Sequence, residues 1–176
     1  MKNASRKISY LLRHNPEDLK MDKQGWVSVN ALLSKLNITM EELEEIVANN
    51  DKKRFGFSVD KTKIRAHQGH NEKLGLKITF KEVQFPRTYY HGTNFLNMNS
   101  ILKFGLNSKN RAYVHLSKDV ETAVNVGNRH LKRGDTVIVL KIDGNQMKRD
   151  GLKIWESENG VILVNNVSPK YIKHEK

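Results

Sequence analysis

The chain has 176 residues and carries 31 lysines and arginines against 19 aspartates and glutamates, a formal net charge of +12. This length accommodates one domain or two small lobes, and the charge favours a polyanionic partner such as RNA, DNA or anionic lipid. The lack of cysteine excludes disulfides and thiolate metal sites. No apolar run approaches the ~20 residues of a membrane span, and the N-terminus lacks a signal-peptide pattern. We therefore expect a soluble, cytoplasmic protein that does not act at a membrane.

The chain begins with a predicted amphipathic helix over residues 5–13. Ile8, Leu11 and Leu12 have the i, i+3, i+4 spacing of one helical face. The residue before a proline avoids helical geometry, so Asn15-Pro16 should end the helix. Arg13 and His14 are thus expected at its C-terminal end.

The rest of the first half predicts a short strand, two helices and a β-hairpin. The strand is expected at 25–29, with Ser28 or Asn30 capping a helix over 31–36. Thr39 and Glu42 have the spacing of a capping box in front of the next helix. Strands at 54–59 and 64–66, joined by a turn, complete the pattern. Helices followed by a hairpin are typical of a winged helix, a common nucleic-acid-binding lobe.

The second half is richer in strand, with β-type runs at 89–91, 113–117, 136–142 and 160–164. Helical patterns occupy residues 98–104 and 120–126. The sequence therefore predicts an α+β fold, with a boundary between two lobes after residue 85.

Short segments rich in arginine, histidine and glycine carry the candidate chemistry. In His91-Gly92-Thr93, glycine would allow a ligand to approach the backbone and threonine can donate to an oxygen. Arg111 and His115 are predicted to share a strand face, where an arginine beside a histidine can bind a pyrophosphate. Alone, each segment also fits an ordinary turn or an exposed strand face.

Two further segments have the same character. Residues 64–71 concentrate polar groups around one glycine, but a His67 and His70 metal pair lacks a third ligand. Residues 127–130 fit a solvated helix end. Paired carboxylates, a Ser-His-Asp order and glycine-rich nucleotide loops are all lacking, and the recurring arginine and histidine suit the binding and activation of phosphate.

Together these segments resemble the RNA 2′-phosphotransferase family (tRNA 2′-phosphotransferase, KptA-like). The matches run in family order over nearly the whole chain: Leu11-Leu12-Arg13-His14-x-Pro16, Gly25-Trp26-Val27, Asp51-Lys52-Lys53-Arg54-Phe55, Ile64-Arg65-Ala66-x-Gln68-Gly69-His70, Tyr90-His91-Gly92-Thr93, Val114-His115-Leu116-Ser117, Gly127-x-Arg129-His130 and Asn159-Gly160-Val161.

The resemblance implies a winged-helix RNA-binding lobe over residues 1–85, an ADP-ribosyltransferase-like NAD-binding lobe over 86–176, and an active site between them. It implies that NAD accepts an internal 2′-phosphate of RNA through an RNA-2′-phospho-ADP-ribose intermediate. The products are RNA with a 2′-hydroxyl, nicotinamide and ADP-ribose 1″,2″-cyclic phosphate. A tRNA-like RNA, a monomeric enzyme and no metal are expected.

The resemblance also assigns residues. The family's catalytic arginine-histidine pair falls on Arg13 and His14, its second arginine on Arg65 and its third on Arg129. The candidate NAD-binding positions are His91, Gly92, Thr93, Gly105, Leu106, Arg111, His115, Ser117 and Val161. Many ADP-ribosyltransferases have a glutamate where this chain has Val161, but a phosphate nucleophile is already anionic and needs no base.

Two positions depart from the family pattern: position 67 is histidine, where a smaller or amide residue is usual, and Asn71 stands where serine is more common. Two other functions remain open at this point. One is an ADP-ribosyltransferase that modifies nucleic-acid phosphate ends or protein and stops after the first step. The other is an RNA-binding module without catalytic activity.

Overall fold

The computed structural model describes residues 2–50, 52–131 and 135–173, without the side chains of Lys2 and His130. Asp51 of the 51–55 motif therefore lies outside the described residues. The chain divides into two compact units, residues 1–79 and 80–176. No helix among the described residues is long and apolar enough to cross a membrane.

Unit 1 combines three α-helices with a three-stranded antiparallel sheet. Its elements are α1 (Lys2–Arg13), β1 (Val27–Ser28), α2 (Val29–Leu36), α3 (Met40–Ala48), β2 (Phe55–Phe57), β3 (Lys63–Ala66) and a 3-10 turn (Glu72–Leu74). The strand order is β1-β3-β2, so β3 is central. The predicted helices and hairpin are present, and the apolar face of α1 is fully buried in the core of this unit.

The helix boundaries in unit 1 follow from local hydrogen bonds. α1 ends at Arg13, as the Asn15-Pro16 sequence predicts. Thr39 Oγ1 accepts from the Glu42 amide at 3.3 Å, and Glu42 Oε2 accepts from the Thr39 amide at 2.8 Å. The capping box is therefore confirmed. Of the two candidate caps for α2, Ser28 is the one that accepts from the first turn.

Unit 2 contains three α-helices and nine short or medium strands among the described residues. They are β4 (Lys81–Glu82), β5 (Thr88–Asn94), α4 (Met98–Phe104), β6 (Leu106–Asn107), β7 (Val114–Leu116), α5 (Val120–Gly127), β8 (Val137–Asp143), α6 (Gly144–Arg149), β9 (Trp155–Glu156), β10 (Ile162–Val164), β11 (Asn166–Val167) and β12 (Ile172–Lys173). Helix and sheet are thus mixed in both units, in agreement with the predicted α+β class.

The sheets of unit 2 bring β5 and β7 side by side. One sheet has the order β4-β9-β10-β7 and another β12-β8-β5. They are joined by an antiparallel bridge in which Tyr90 and Ser117 exchange backbone hydrogen bonds of 2.9 and 2.7 Å. The candidate residues on β5 and β7 are therefore close neighbours.

Two predictions about unit 2 need correction. The division of the chain falls after Thr79 and not after residue 85, because β4 pairs with β9 and the Val83 amide donates to the Ile154 carbonyl. The predicted strand over 113–117 is also shorter. β7 begins at Val114, so Arg111 precedes the strand and does not share its face.

Candidate active site

Arg13 and His14 are fixed at the C-terminal end of α1 by backbone contacts. Arg13 Nη2 donates to the carbonyl oxygen of Arg54 at 3.3 Å. The Asn71 amide donates to the carbonyl oxygen of Arg13 at 2.7 Å, and the His14 amide donates to Tyr10 of the helix. These bonds join α1 to the hairpin and to the loop after it, so the arginine and the exposed histidine are held where the two segments meet.

Arg65 is held on β3 by an aromatic ring and a carbonyl group. Its guanidinium carbon lies 4.3 Å from the ring centroid of Trp26, and Nη1 donates to the Gln24 carbonyl oxygen at 3.3 Å. Stacking and hydrogen bonding together orient the planar guanidinium. Trp26 therefore has a positioning role that the sequence alone did not assign.

The buried His70 lies where the segments with the three candidate residues of unit 1 meet. His70 is 4% exposed, and burial lowers its pKa to about 4, aided by the positive charges of Arg13 and Arg65. The Asn71 amide, next to His70 in the sequence, donates to the Arg13 carbonyl oxygen. A Cβ built on Gly25, the neighbour of the Arg65 acceptor Gln24, would lie 3.4 Å from His70 Nε2. The segments that carry Arg13, His14 and Arg65 therefore meet at a buried histidine.

The loop between β3 and the following 3-10 turn wraps the end of α1. Gly69 has a φ of +87°, a conformation that favours glycine, and a Cβ built on it would lie 3.6 Å from the guanidinium carbon of Arg13. The His67 amide donates to the same Arg54 carbonyl oxygen that accepts from Arg13. The backbone of Arg54 is therefore a shared anchor, and this role was also missed in the sequence.

In unit 2, His91, Arg111 and His115 form a second cluster. The His91 Nδ1–H donates to the His115 carbonyl oxygen at 3.1 Å, a bond that follows from the bridge between β5 and β7. Arg111 Nη1 donates to His115 Nδ1 at 3.3 Å. Arg111 therefore reaches His115, as predicted, although it does so from the segment that precedes β7.

The other candidates on these strands are more enclosed. Thr93 is buried, and its Oγ1 accepts from Asn97 Nδ2 at 3.2 Å. Ser117 forms the bridge to Tyr90 through its backbone. Val161 is half-buried next to β10, whose first residue pairs with Leu116 of β7. His91 thus lies on β5, His115 lies on β7, and Val161 directly precedes β10.

Glycine is needed at position 92 for a structural reason that differs from the predicted approach of a ligand. A Cβ on Gly92 would lie 1.9 Å from the Ala123 carbonyl oxygen, and a Cβ on Gly127 would lie 3.2 Å from the Gly92 carbonyl carbon. The close approach is therefore made by α5 and not by a ligand on that side. Because this contact fixes the end of α5, Arg129 in the following 3-10 turn is held near the His91-Gly92-Thr93 segment.

Gly105 and Leu106 also serve the fold. Gly105 has a φ of +79°, and an added Cβ would lie 2.0 Å from the Val167 carbonyl oxygen. Leu106 is 5% exposed and packs in the core of unit 2. Their side-chain positions are occupied by protein atoms, so any ligand contact there would be made by the backbone.

The candidate catalytic residues are divided between the units. Arg13, His14 and Arg65 are grouped in unit 1, and Arg129 belongs to unit 2. Within the part of the chain that the structure describes, no group of three or more histidine, cysteine, aspartate or glutamate side chains has an arrangement that could hold a metal ion.

Comparison with known proteins identifies the family. Residues 1–166 match the model of the RNA 2′-phosphotransferase, Tpt1 / KptA family, and the chain belongs to this family. It is 45% identical over 173 residues to a protein of Fusobacterium nucleatum, with 94% of each chain covered. It is also 45% identical over 179 residues to a protein of Flavobacterium johnsoniae, covering 98% of this chain and 95% of the relative. Both relatives are named probable RNA 2′-phosphotransferase.

Proposed function

We propose that the protein is an NAD-dependent RNA 2′-phosphotransferase that removes an internal 2′-phosphate from RNA. The observation that carries the proposal is that the end of α1, with Arg13 and His14, and the segment that holds Arg65 meet at the buried His70. The names of the relatives support the same substrate. We infer NAD as the acceptor from the family resemblance and from the cluster of His91, Arg111 and His115 in unit 2.

A grouping of cationic side chains suits a phosphomonoester. A 2′-phosphate carries nearly two negative charges at neutral pH. Guanidinium groups bind its oxygens with a planar, bidentate geometry that lysine lacks. Arg65 is already oriented by Trp26 and Gln24, so little conformational entropy is lost when it binds. Arg13 and Arg65 would therefore hold the phosphate, with His14 beside it.

The element order supports a division of labour. A helix, a strand, two helices and a hairpin, as in unit 1, follow the order of a winged helix, and we infer that this unit binds RNA. We infer that unit 2 is an ADP-ribosyltransferase-like lobe. Its cluster fits NAD, because Arg111 can bind the pyrophosphate, while His91 and His115 present ring nitrogens from adjacent strands.

The first step of the proposed reaction joins the phosphate to the ribose. An oxygen of the RNA 2′-phosphate forms a bond to the anomeric carbon of the nicotinamide ribose, and nicotinamide leaves with the electrons of the glycosidic bond. The phosphate is already anionic, so this step requires positioning more than a base. Arg13 and Arg65 supply the positioning, and the hydrophobic Val161 is compatible with a site that needs no glutamate.

The second step releases the RNA. The ribose 2″-hydroxyl attacks phosphorus, the bond from phosphorus to the RNA 2′-oxygen breaks, and that oxygen takes a proton to become a hydroxyl. His14 is exposed at the end of α1, and we infer that it accepts the 2″-hydroxyl proton. Arg13 and Arg65 would stabilise the charge that develops on the phosphoryl oxygens, and the family resemblance gives Arg129 the same role. The products are RNA with a 2′-hydroxyl and ADP-ribose 1″,2″-cyclic phosphate.

The test is a reaction with defined components. The purified full chain is incubated with NAD and an oligoribonucleotide that carries one internal 2′-phosphate, in EDTA. We expect release of nicotinamide and of the cyclic phosphate, with loss of the 2′-phosphate from RNA. An otherwise identical oligoribonucleotide with a 5′-phosphate and no 2′-phosphate is the matched control.

Each other outcome identifies a different function. ADP-ribose that stays attached to the RNA of either oligonucleotide indicates an ADP-ribosyltransferase that stops after the first step. Binding of the RNA without consumption of NAD indicates a non-catalytic RNA-binding module. Both results would contradict the proposal. A tRNA-like substrate and a monomeric state belong to the same proposal, and are tested with a 2′-phosphorylated tRNA and by light scattering.

A further inference from the structure

A groove in unit 1 extends beyond the residues used in the proposed mechanism. It has a volume of about 640 Å³ and runs along α1 to the C-terminal end of α3. Its wall on α1 is a continuous polar stripe, because residues 6, 10 and 13 recur on one face of the helix, opposite the buried Ile8, Leu11 and Leu12. The lining residues that matter here are Arg6, Tyr10, Arg13, His14, Asn50 and Arg54.

The groove begins at the proposed phosphate site. Arg13 and His14 line one end of it, and Arg6 lies two helical turns before Arg13. Two turns of helix span roughly 11 Å, and adjacent phosphates of one nucleic-acid strand lie roughly 6 to 7 Å apart. The stripe is therefore long enough to contact at least one nucleotide beyond the one that carries the 2′-phosphate.

Tyr10 provides an aromatic surface within this stripe. It is 51% exposed, so its ring is accessible to a base that stacks on it. Its centroid lies 5.9 Å from that of His14 at an interplanar angle of 40°. A base that stacks on Tyr10 would therefore be next to the reacting phosphate and not remote from it.

The floor of the groove has an amide with one unused donor. Asn50 is buried, and its Oδ1 accepts from Arg54 Nη1 at 3.4 Å. Among the described residues, none supplies an acceptor for Asn50 Nδ2. Buried donors are normally paired, so a turn of the Asn50 side chain towards the groove would let Nδ2 donate to an oxygen of a bound ligand.

From these observations we propose that the groove between α1 and α3 binds the nucleotide that flanks the 2′-phosphorylated one. Arg6 contacts its phosphodiester, and Tyr10 stacks on its base. This assignment rests on the proposed function for its choice of RNA. It adds a specificity subsite: stacking tolerates any base, so the groove would select single-stranded RNA of sufficient length, without selecting a sequence.

The test compares two RNAs with a 2′-phosphate: a mononucleotide, which has no flanking nucleotide, and a single-stranded decanucleotide that carries the 2′-phosphate internally. Binding is measured by fluorescence anisotropy without NAD, and KM is measured with NAD. For the wild type, we expect tighter binding and a lower KM for the decanucleotide. Tyr10→Ala should reduce this preference by about tenfold, the usual effect of losing one stacked base. Tyr10→Phe should retain it, because the ring remains.

Charge is tested separately. Arg6→Ala should weaken decanucleotide binding severalfold. It should also reduce the slope of log affinity against log salt concentration by about one, the effect of losing one phosphate contact. Lys7→Ala is the matched control, since Lys7 is the next residue of α1, is exposed, and does not line the groove. Lys7→Ala should bind both RNAs as the wild type does.

The outcomes separate this inference from the proposed function. If the wild type turns over both RNAs and the variants Tyr10→Ala and Arg6→Ala keep the full preference for the decanucleotide, the groove is not an RNA subsite. If the wild type turns over neither RNA, the proposed function fails. The anisotropy measurements with the same variants then still decide whether the groove binds RNA.

Discussion

Arg65 shows how a single side chain is prepared for an anion. The Trp26 ring lies against one face of the guanidinium, and the Gln24 carbonyl accepts from Nη1. Lysine has neither the planar face for stacking nor the fixed fork of donors. The charge of Arg65 and its orientation are therefore separate contributions, and substitutions can distinguish them.

We expect Arg65→Ala or Arg129→Ala to slow the second step of the proposed reaction by about 100-fold or more, because each would remove a donor that the proposal assigns to the phosphoryl oxygens. The first step depends more on positioning and should be slowed less. RNA that carries phospho-ADP-ribose should therefore accumulate, and a time course with 2′-³²P-labelled RNA would detect it. Arg65→Lys should resemble Arg65→Ala.

Arg149→Ala is the control for loss of one arginine. Arg149 is exposed at the end of α6, where its side chain bonds to Gln146. This variant should process RNA without a detectable intermediate. Loss of activity in the Arg65 and Arg129 variants with no intermediate at any time point would contradict the assigned roles.

His70 should make the stability of the protein depend on pH. Its pKa is lowered to about 4 in the fold, and is about 6.5 in an unfolded chain. Between these values the unfolded state binds more protons, so stability is complete above pH 6.5 and is lost as the pH falls towards 4. The shift corresponds to at most about 3 kcal/mol.

Urea denaturation at several pH values would measure this effect. From pH 7 to pH 4, the unfolding free energy of the wild type should fall by about 3 kcal/mol more than that of His70→Gln, which cannot titrate. Carboxylates such as Asp150, with a pKa of about 2, contribute equally to both proteins and cancel in the difference. Parallel pH profiles would show that His70 is not the titrating group.

At the scale of elements, the packing of α5 on β5 depends on two glycines. The backbones of Gly92 and Gly127 are in contact, and the Ala123 carbonyl oxygen occupies the space in which a side chain of Gly92 would lie. A backbone atom cannot move aside without moving its helix. The position of Arg129 therefore depends on glycine at residue 92.

Gly92→Ala should lower the unfolding free energy by about 1 to 3 kcal/mol, the usual cost of overpacking, or by more if α5 is displaced. Thermal unfolding would measure this loss. Gly56→Ala is the comparison, because its new Cβ would meet only the His67 ring, at 2.9 Å, and a ring can rotate away. Equal losses in the two variants would show that the contact with α5 is not the cause.

Elements with a strong local signal were predictable from the sequence. α1 was recognised from Ile8, Leu11 and Leu12 with Pro16 as its end, and α3 from the Thr39–Glu42 capping box. The two-residue strands β4, β9 and β12 and the six-residue α6 were not predicted, because they exist through pairing and packing with distant segments, and have no periodicity of their own. The predicted boundary after residue 85 was misplaced for the same reason, because the pairing of β4 with β9 has no local signal in the sequence.

The candidate site was predictable to a similar extent. The chemistry of arginine and histidine indicated phosphate binding, and the family resemblance assigned Arg13, His14 and Arg65, whose catalytic roles stay predictions. The supporting contacts could not be predicted. Stacking by Trp26 joins residues 39 positions apart in the sequence, and the anchoring by Arg54 involves its carbonyl group, which every residue has.

The net charge of +12 acts at the scale of the whole molecule. If four arginines of unit 1 contact phosphates, each contact releases condensed counterions, and the logarithm of the RNA affinity should fall with the logarithm of salt concentration with a slope near −3, about −0.7 per phosphate of a single strand. Anisotropy titrations from 50 to 300 mM KCl would measure the slope. A slope near zero would mean that the charge serves solubility alone.

The bonds that tie the end of α1 to the loop after β3 have a consequence for how this sequence can diverge. His67 and Asn71 contribute their amides to the anchors at Arg54 and Arg13, and any residue except proline offers an amide. The Asn71 side chain caps the next turn by accepting from Lys73, a task that serine performs equally well. Side chains at 67 and 71 can therefore be exchanged without loss of these amide bonds to Arg54 and Arg13.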